Sequence, residues 1–153
     1  MIVVSDTSPL TALFTVGQSD LLFKIFGEVL IPAAVENELL RSHPDLPGWL
    51  KTKQVRDSAK VQEYSQSVDL GEAEAIALAE ELSANFLLID ERKGRRLART
   101  RQLRIIGLLG VILLAKRQGL IPSARDLLAQ LDEKAGVYLS KELKEAALRS
   151  VGE

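Results

Sequence analysis

Asp6 and Asp90 each follow a short apolar run, Ile2 to Val4 and Phe86 to Ile89. Short apolar runs separated by turn and helix signals read as the buried strands of an α/β domain. Ligands of an open parallel sheet collect beyond the carboxyl ends of its strands, so both aspartates are expected in one crevice. Two carboxylates brought together repel one another unless a cation lies between them. For either residue alone, the plain alternative is an aspartate that ends a strand or caps a helix. Their shared position argues against it.

A third acid is marked by helical geometry. The segment DLGEAEAIALAEEL reads as a helix over 69–84, rich in Ala, Glu and Leu. At 100° per residue, Ala75, Ile76 and Ala79 fall within about 60° of Glu72, whereas Glu74 lies about 200° away. Glu72 is thus expected on the apolar face, with Glu74, Glu80 and Glu81 on the solvated side. The competing account is a capping box, Asp69-x-x-Glu72, in which Glu72 returns to the Asp69 backbone N–H. The helix after Pro32 carries Glu36 and Glu38, which flank its buried side at similar angles, and the wheel does not choose between them.

Any metal here must sit on oxygen. The chain has no cysteine, and His43 is its only histidine, so thiolate zinc sites and sites built on several imidazoles are excluded. Hard carboxylates suit Mg²⁺ or Mn²⁺. Net charge is −1, yet seven basic residues and no acidic one lie between Arg92 and Arg104, leaving 13 basic against 21 acidic elsewhere. Such asymmetry is what a phosphate-binding face would look like, and equally what a solvated helix face would.

The elements that must position these residues follow from the same pattern. At 153 residues and 46% hydrophobic, the chain suits one domain, 1–153. Ser8 followed by Pro9 reads as a helix N-cap with proline at the first helical position, opening a helix to about Thr15. A second apolar segment covers 21–26, and a short strand at 28–31 is closed by Pro32. The loop 42–48 leads to a weak strand beginning at Val55 and then a polar helix. A helix over 92–102, a strand at 103–106, an apolar helix over 107–119 and two C-terminal helices from about Ser123 complete the chain. The start MIVVSDTSPL is wrong for a signal peptide, and the longest apolar run, 105–115, falls short of the roughly 20 residues that cross a bilayer. The expectation is a soluble, cytoplasmic protein.

In this order, the motifs VVSDTSPL, VLIPAAVENEL, LGEAEAIALA, FLLIDERKGRRLA and GLLGVILLAKRQGLI resemble the PIN-domain family, specifically its short predicted nucleic-acid-binding subgroup related to VapC-type toxins. The resemblance covers roughly residues 2–122. It implies a three-layer α/β/α sandwich around a parallel sheet, and Mg²⁺- or Mn²⁺-dependent cleavage of RNA phosphodiesters. It makes Asp6, Glu38, Glu72 and Asp90 the acidic cluster that holds metal and carries catalysis, choosing Glu38 over Glu36. It makes Ser8 a substrate or outer contact. The departure is Glu72, where many PIN domains have aspartate; its longer side chain could ligate directly, act through water, or leave part of the task to Glu74.

Arg92, Arg95, Arg96 and Arg99 share one arc of their helix and are expected to hold substrate phosphates. The resemblance also implies a homodimer and, for a toxin, a cognate antitoxin; no membrane is involved. One alternative is a PIN-fold module that binds RNA or protein without cutting. A receiver-type phosphate-handling domain fits poorly, since it would want adjacent acids near the first strand and a lysine after a later one, where this chain has Ser5-Asp6 and Ile106-Gly107.

Overall fold

A computed structural model describes all residues, 1–153. Five short strands form a single all-parallel sheet: β1 (Val3–Ser5), β2 (Val29–Ile31), β3 (Leu50–Thr52), β4 (Phe86–Leu88) and β5 (Ile105–Ile106). Their spatial order is β3-β2-β1-β4-β5, with Ser5 opposite Leu88 and Val4 opposite Leu30. The chain departs from β1 first to one side and later to the other, so the crevice between β1 and β4 is the topological switch point where such sheets bind ligands.

Side chains alternate across the pleat. Val3 and Leu88 point into a core cluster shared with α1 (Thr7–Thr15), α2 (Asp20–Phe26), α3 (Ala33–Leu40), α7 (Leu108–Arg117), α8 (Ala124–Ala135) and α9 (Lys141–Ser150). Val4, Leu87 and Ile89 point into a second cluster with α4 (Ser58–Tyr64), α5 (Leu70–Glu81) and α6 (Arg92–Thr100). Two helical layers around one parallel sheet give the expected α/β/α sandwich.

The helices obey local rules. Asp69 caps α5 by accepting the Glu72 N–H at 2.8 Å, and Ser123 and Ser140 do the same for α8 and α9 at 3.0 and 3.2 Å. Four alanines in α5 (73, 75, 77 and 79) are fully buried, which lets α3, α4, α6 and the sheet pack closely around it.

Two local expectations fail. The N-cap of α1 is Asp6, and Ser8 lies inside the first turn as an exposed residue. The third strand is at 50–52 and not after Val55. Only Leu50 of it is buried, and it is held by backbone pairing with β2 at the sheet edge, so it has no apolar run to advertise it.

Candidate functional site

Asp6 stands where β1 turns into α1. Its N–H donates to the Leu88 carbonyl at 2.9 Å, which fixes it beside the end of β4. Although its backbone caps α1, its carboxylate accepts no capping hydrogen bond and is only 4% exposed. Burial pushes this carboxyl up to about 7; the Thr7 N–H opposes the rise, while the charges of Asp69, Glu38 and Asp90 add to it. Charges from three other segments are therefore felt at Asp6.

Glu72 is buried at 5% exposure, as the helical wheel indicates. Only half of the capping box forms. Asp69 takes the Glu72 N–H, but no side-chain bond from Glu72 back to the Asp69 N–H is made, and Glu72 Oε2 is buried without a partner. Burial first, then the Asp69 carboxyl beside it, and then Asp6 and Glu91 hold Glu72 well above the usual carboxylate range. An unsatisfied buried carboxylate oxygen costs stability unless something else meets it.

Three acids are seated against glycines. A Cβ at Gly94 would overlap Glu72 Oε2, one at Gly71 would sit 2.5 Å from Glu38 Oε1, and one at Gly107 would sit 2.6 Å from Asp90 Oδ1. Each missing side chain makes the room for a carboxylate from another segment. Glu36 is engaged elsewhere, accepting the Thr52 hydroxyl at 2.5 Å, whereas Glu38 turns towards α5 and Asp6. Asp90 Oδ1 accepts the Leu108 N–H at 3.0 Å and so caps α7 as well as facing the site. Burial raises its pKa, against the lowering effects of that N–H and of Arg95.

The solvated side assigned to α5 needs correction. Glu74 accepts the Ala34 N–H at 2.9 Å and caps α3. Glu80 is clasped by Tyr64, Lys60 and Arg101, which hold its pKa down although burial alone would raise it. Neither belongs to the acid group around Asp6. On α6, Arg92, Arg96 and Arg99 are exposed, while Arg95 is half-buried and turned towards Asp90, with a buried Nε that has no partner. Ser8, Asp90, Arg92 and Arg95 line one cavity. Sequence reasoning treated Asp69 only as a cap and passed over Glu91 and the three glycines. The signal for Gly94 is a glycine inside a helix, where alanine would be about 1 kcal/mol better unless space is needed.

The donor set fits a hard divalent cation: every candidate ligand is a carboxylate, and one buried oxygen lacks a partner. The side chains ring the crevice without converging, and no three of them stand where one ion could be held as they are arranged. Holding one cation therefore requires these side chains to draw closer than they stand here.

No helix is long and apolar enough to cross a membrane. No curated protein and no solved structure matches the chain. A family model described as a PIN domain matches residues 2–153, which includes the C-terminal helices that the motifs left uncovered. PIN domains are generally nucleases that use divalent metals, a chemistry in keeping with acids gathered at the switch point of a parallel sheet. With that match spanning nearly the whole chain and the five-stranded parallel sheet beneath it, the protein belongs to the PIN-domain family.

Proposed function

We propose that the chain is a metal-dependent endoribonuclease in which Asp6, Glu38, Glu72 and Asp90 would hold Mg²⁺ or Mn²⁺. The observation that carries this reading is the buried pair of carboxylates, Asp6 at 4% and Glu72 at 5% exposure, the second with an oxygen that no protein group satisfies. When bound, a divalent cation supplies charge neutralisation and lowers the pKa of a coordinated water. Asp6 and Asp90, on the adjacent ends of β1 and β4, are the principal ligands in this reading. Glu38 ligates or orients the attacking water from α3, and Glu72 ligates directly or through water from α5. The exposed Arg92, Arg96 and Arg99 steer the phosphate backbone, and Ser8 contacts substrate.

The test is cleavage of single-stranded RNA with Mg²⁺ or Mn²⁺, beside calorimetric titration of the same ions. Cleavage abolished by EDTA and by Asp6→Asn is expected, and cleavage surviving excess EDTA would sink the assignment. Tight RNA binding with no cleavage under any divalent ion would favour the binding-module reading instead. The resemblance to VapC-type toxins extends the proposal to a toxin–antitoxin pair and a homodimer. Induced expression should arrest growth, and the product of a neighbouring reading frame should reverse it; unaffected growth would leave a stand-alone nuclease.

A further inference from the structure

A cavity of about 840 Å³ opens from the acidic site between α7 and the segment joining α8 to α9. Ser8, Asp90, Arg92 and Arg95 give its lining a polar, charged part, and most of the remaining lining is apolar, with Leu109, Leu113 and Leu143 among it. Tyr138 stands at the rim with 79% of its surface exposed, and Leu143 is 49% exposed. Grouped exposed apolar side chains beside charged lining residues mark a binding surface.

Arg95 narrows the choice of occupant. It is half-buried, makes no ion pair or hydrogen bond through its side chain, and has a buried Nε without a partner. A partly desolvated guanidinium needs an acceptor, and its planar fork suits a phosphate or the edge of a heterocycle. An aliphatic peptide would satisfy the leucines and leave Arg95 unanswered. A nucleotide satisfies both, because its phosphate is anionic, its base edge carries acceptors, and its faces are apolar. Proteins that read single strands splay bases out and stack them on aromatic rings or guanidinium planes.

We propose that this cavity is a nucleobase subsite, taking the base of the nucleotide next to the phosphate at the acidic centre, with Arg95 in its charged lining and Tyr138 stacking on the ring. The inference rests on the ribonuclease reading and adds that single-stranded RNA is selected through one unstacked base.

The experiment places a single abasic nucleotide at successive positions of a short single-stranded RNA. Equilibrium affinity in EDTA and cleavage with Mn²⁺ are measured for the parent protein, Tyr138→Ala and Tyr138→Phe. In the parent, one abasic position beside the cut should weaken affinity about 5- to 150-fold, the range for one lost stacking contact. Tyr138→Ala should bind intact RNA as weakly as the parent binds the abasic strand, and should lose the positional sensitivity; Tyr138→Phe should restore it. Identical abasic profiles in the parent and Tyr138→Ala, with RNA still cut, would overturn the subsite and leave the nuclease reading standing. RNA neither bound nor cut would overturn both. A dimer dissolved by Leu143→Lys, with RNA affinity unchanged, would assign the cavity to a second copy of the chain and remove the proposal.

Discussion

Glu72 Oε2 rests against Gly94, in the space where any other residue would place its Cβ. Helix propensity alone favours Gly94→Ala by about 1 kcal/mol. The added methyl would also come 2.6 Å from Ile89 Cδ1, and overpacking of this kind costs about 1–3 kcal/mol. Gly94→Ala is therefore expected to lower Tm and to weaken Mn²⁺ binding by displacing Glu72. A more stable variant with parental metal affinity would show that Glu72 does not depend on this seat.

Acids inside and outside the group should separate cleanly. Asp6→Asn and Asp90→Asn should lower RNA cleavage more than about 100-fold, beyond the 10- to 100-fold typical of outer-shell partners. Asp90→Asn should stay folded, because an amide oxygen can still accept the Leu108 N–H. Glu74→Gln keeps an acceptor for Ala34 and should be silent in activity, whereas Glu74→Ala should cost about 0.5–2 kcal/mol in stability through the lost cap of α3. Impaired metal binding in Glu74→Gln would return Glu74 to the site.

Asp6 makes the metal-free protein pH-sensitive. Its folded-state pKa is about 7 against an ordinary 3.8, so between those values the folded state binds more protons than the unfolded chain. Its contribution to stability consequently falls as pH rises through that window, and its penalty is complete above about 7. The raised pKa values of Glu72 and Asp90 act in the same direction. Glu153, lowered to about 2 chiefly by the Ala124 N–H, loses its stabilising effect only as pH falls below its ordinary 4.5. Metal-free Tm should thus be higher near pH 5.5 than at pH 8. Asp6→Asn should flatten that slope and raise Tm at pH 8 by a few degrees, at roughly 2–4 °C per kcal/mol. Saturating Mn²⁺ should also raise Tm at pH 8. A parental Tm–pH profile in Asp6→Asn would show that this carboxylate carries no such penalty.

The exposed arginines of α6 yield a prediction in salt. If Arg92 and Arg96 each hold a phosphate, Arg92→Ala and Arg96→Ala should each flatten the plot of log affinity against log salt by about 0.7. The double variant should lose about twice that, with sequence preference unchanged. Arg101, bound to Glu80, belongs to a different network, and Arg101→Ala should leave the slope alone. Slopes indistinguishable from the parent would remove α6 from the binding surface.

Periodicity and end signals make much of this protein legible in its sequence. Alternation of short apolar runs with helical segments sufficed for an α/β domain with a parallel sheet, because burial on both faces of such a sheet demands continuous apolar strands, while the three-layer sandwich came from the family resemblance. Asp6 and Asp90 were legible because they follow two such runs. Glu72 was legible because a 3.6-residue repeat leaves a charged residue visible on an apolar face.

Only the tertiary structure decided the rest, since those features depend on segments distant in sequence. The edge strand at 50–52 exists through its backbone pairing with β2, which leaves little mark on composition. Glu74 and Glu80 look solvated on a wheel, yet α3 and α4 cover α5 on that side and supply their partners. Glu36 and Glu38 were indistinguishable by angle until Thr52 claimed one and the space at Gly71 admitted the other. Gly71, Gly94 and Gly107 carry no chemistry of their own; a glycine's use for close approach is defined by whatever approaches it, and here that is a carboxylate 17 to 33 residues away along the chain.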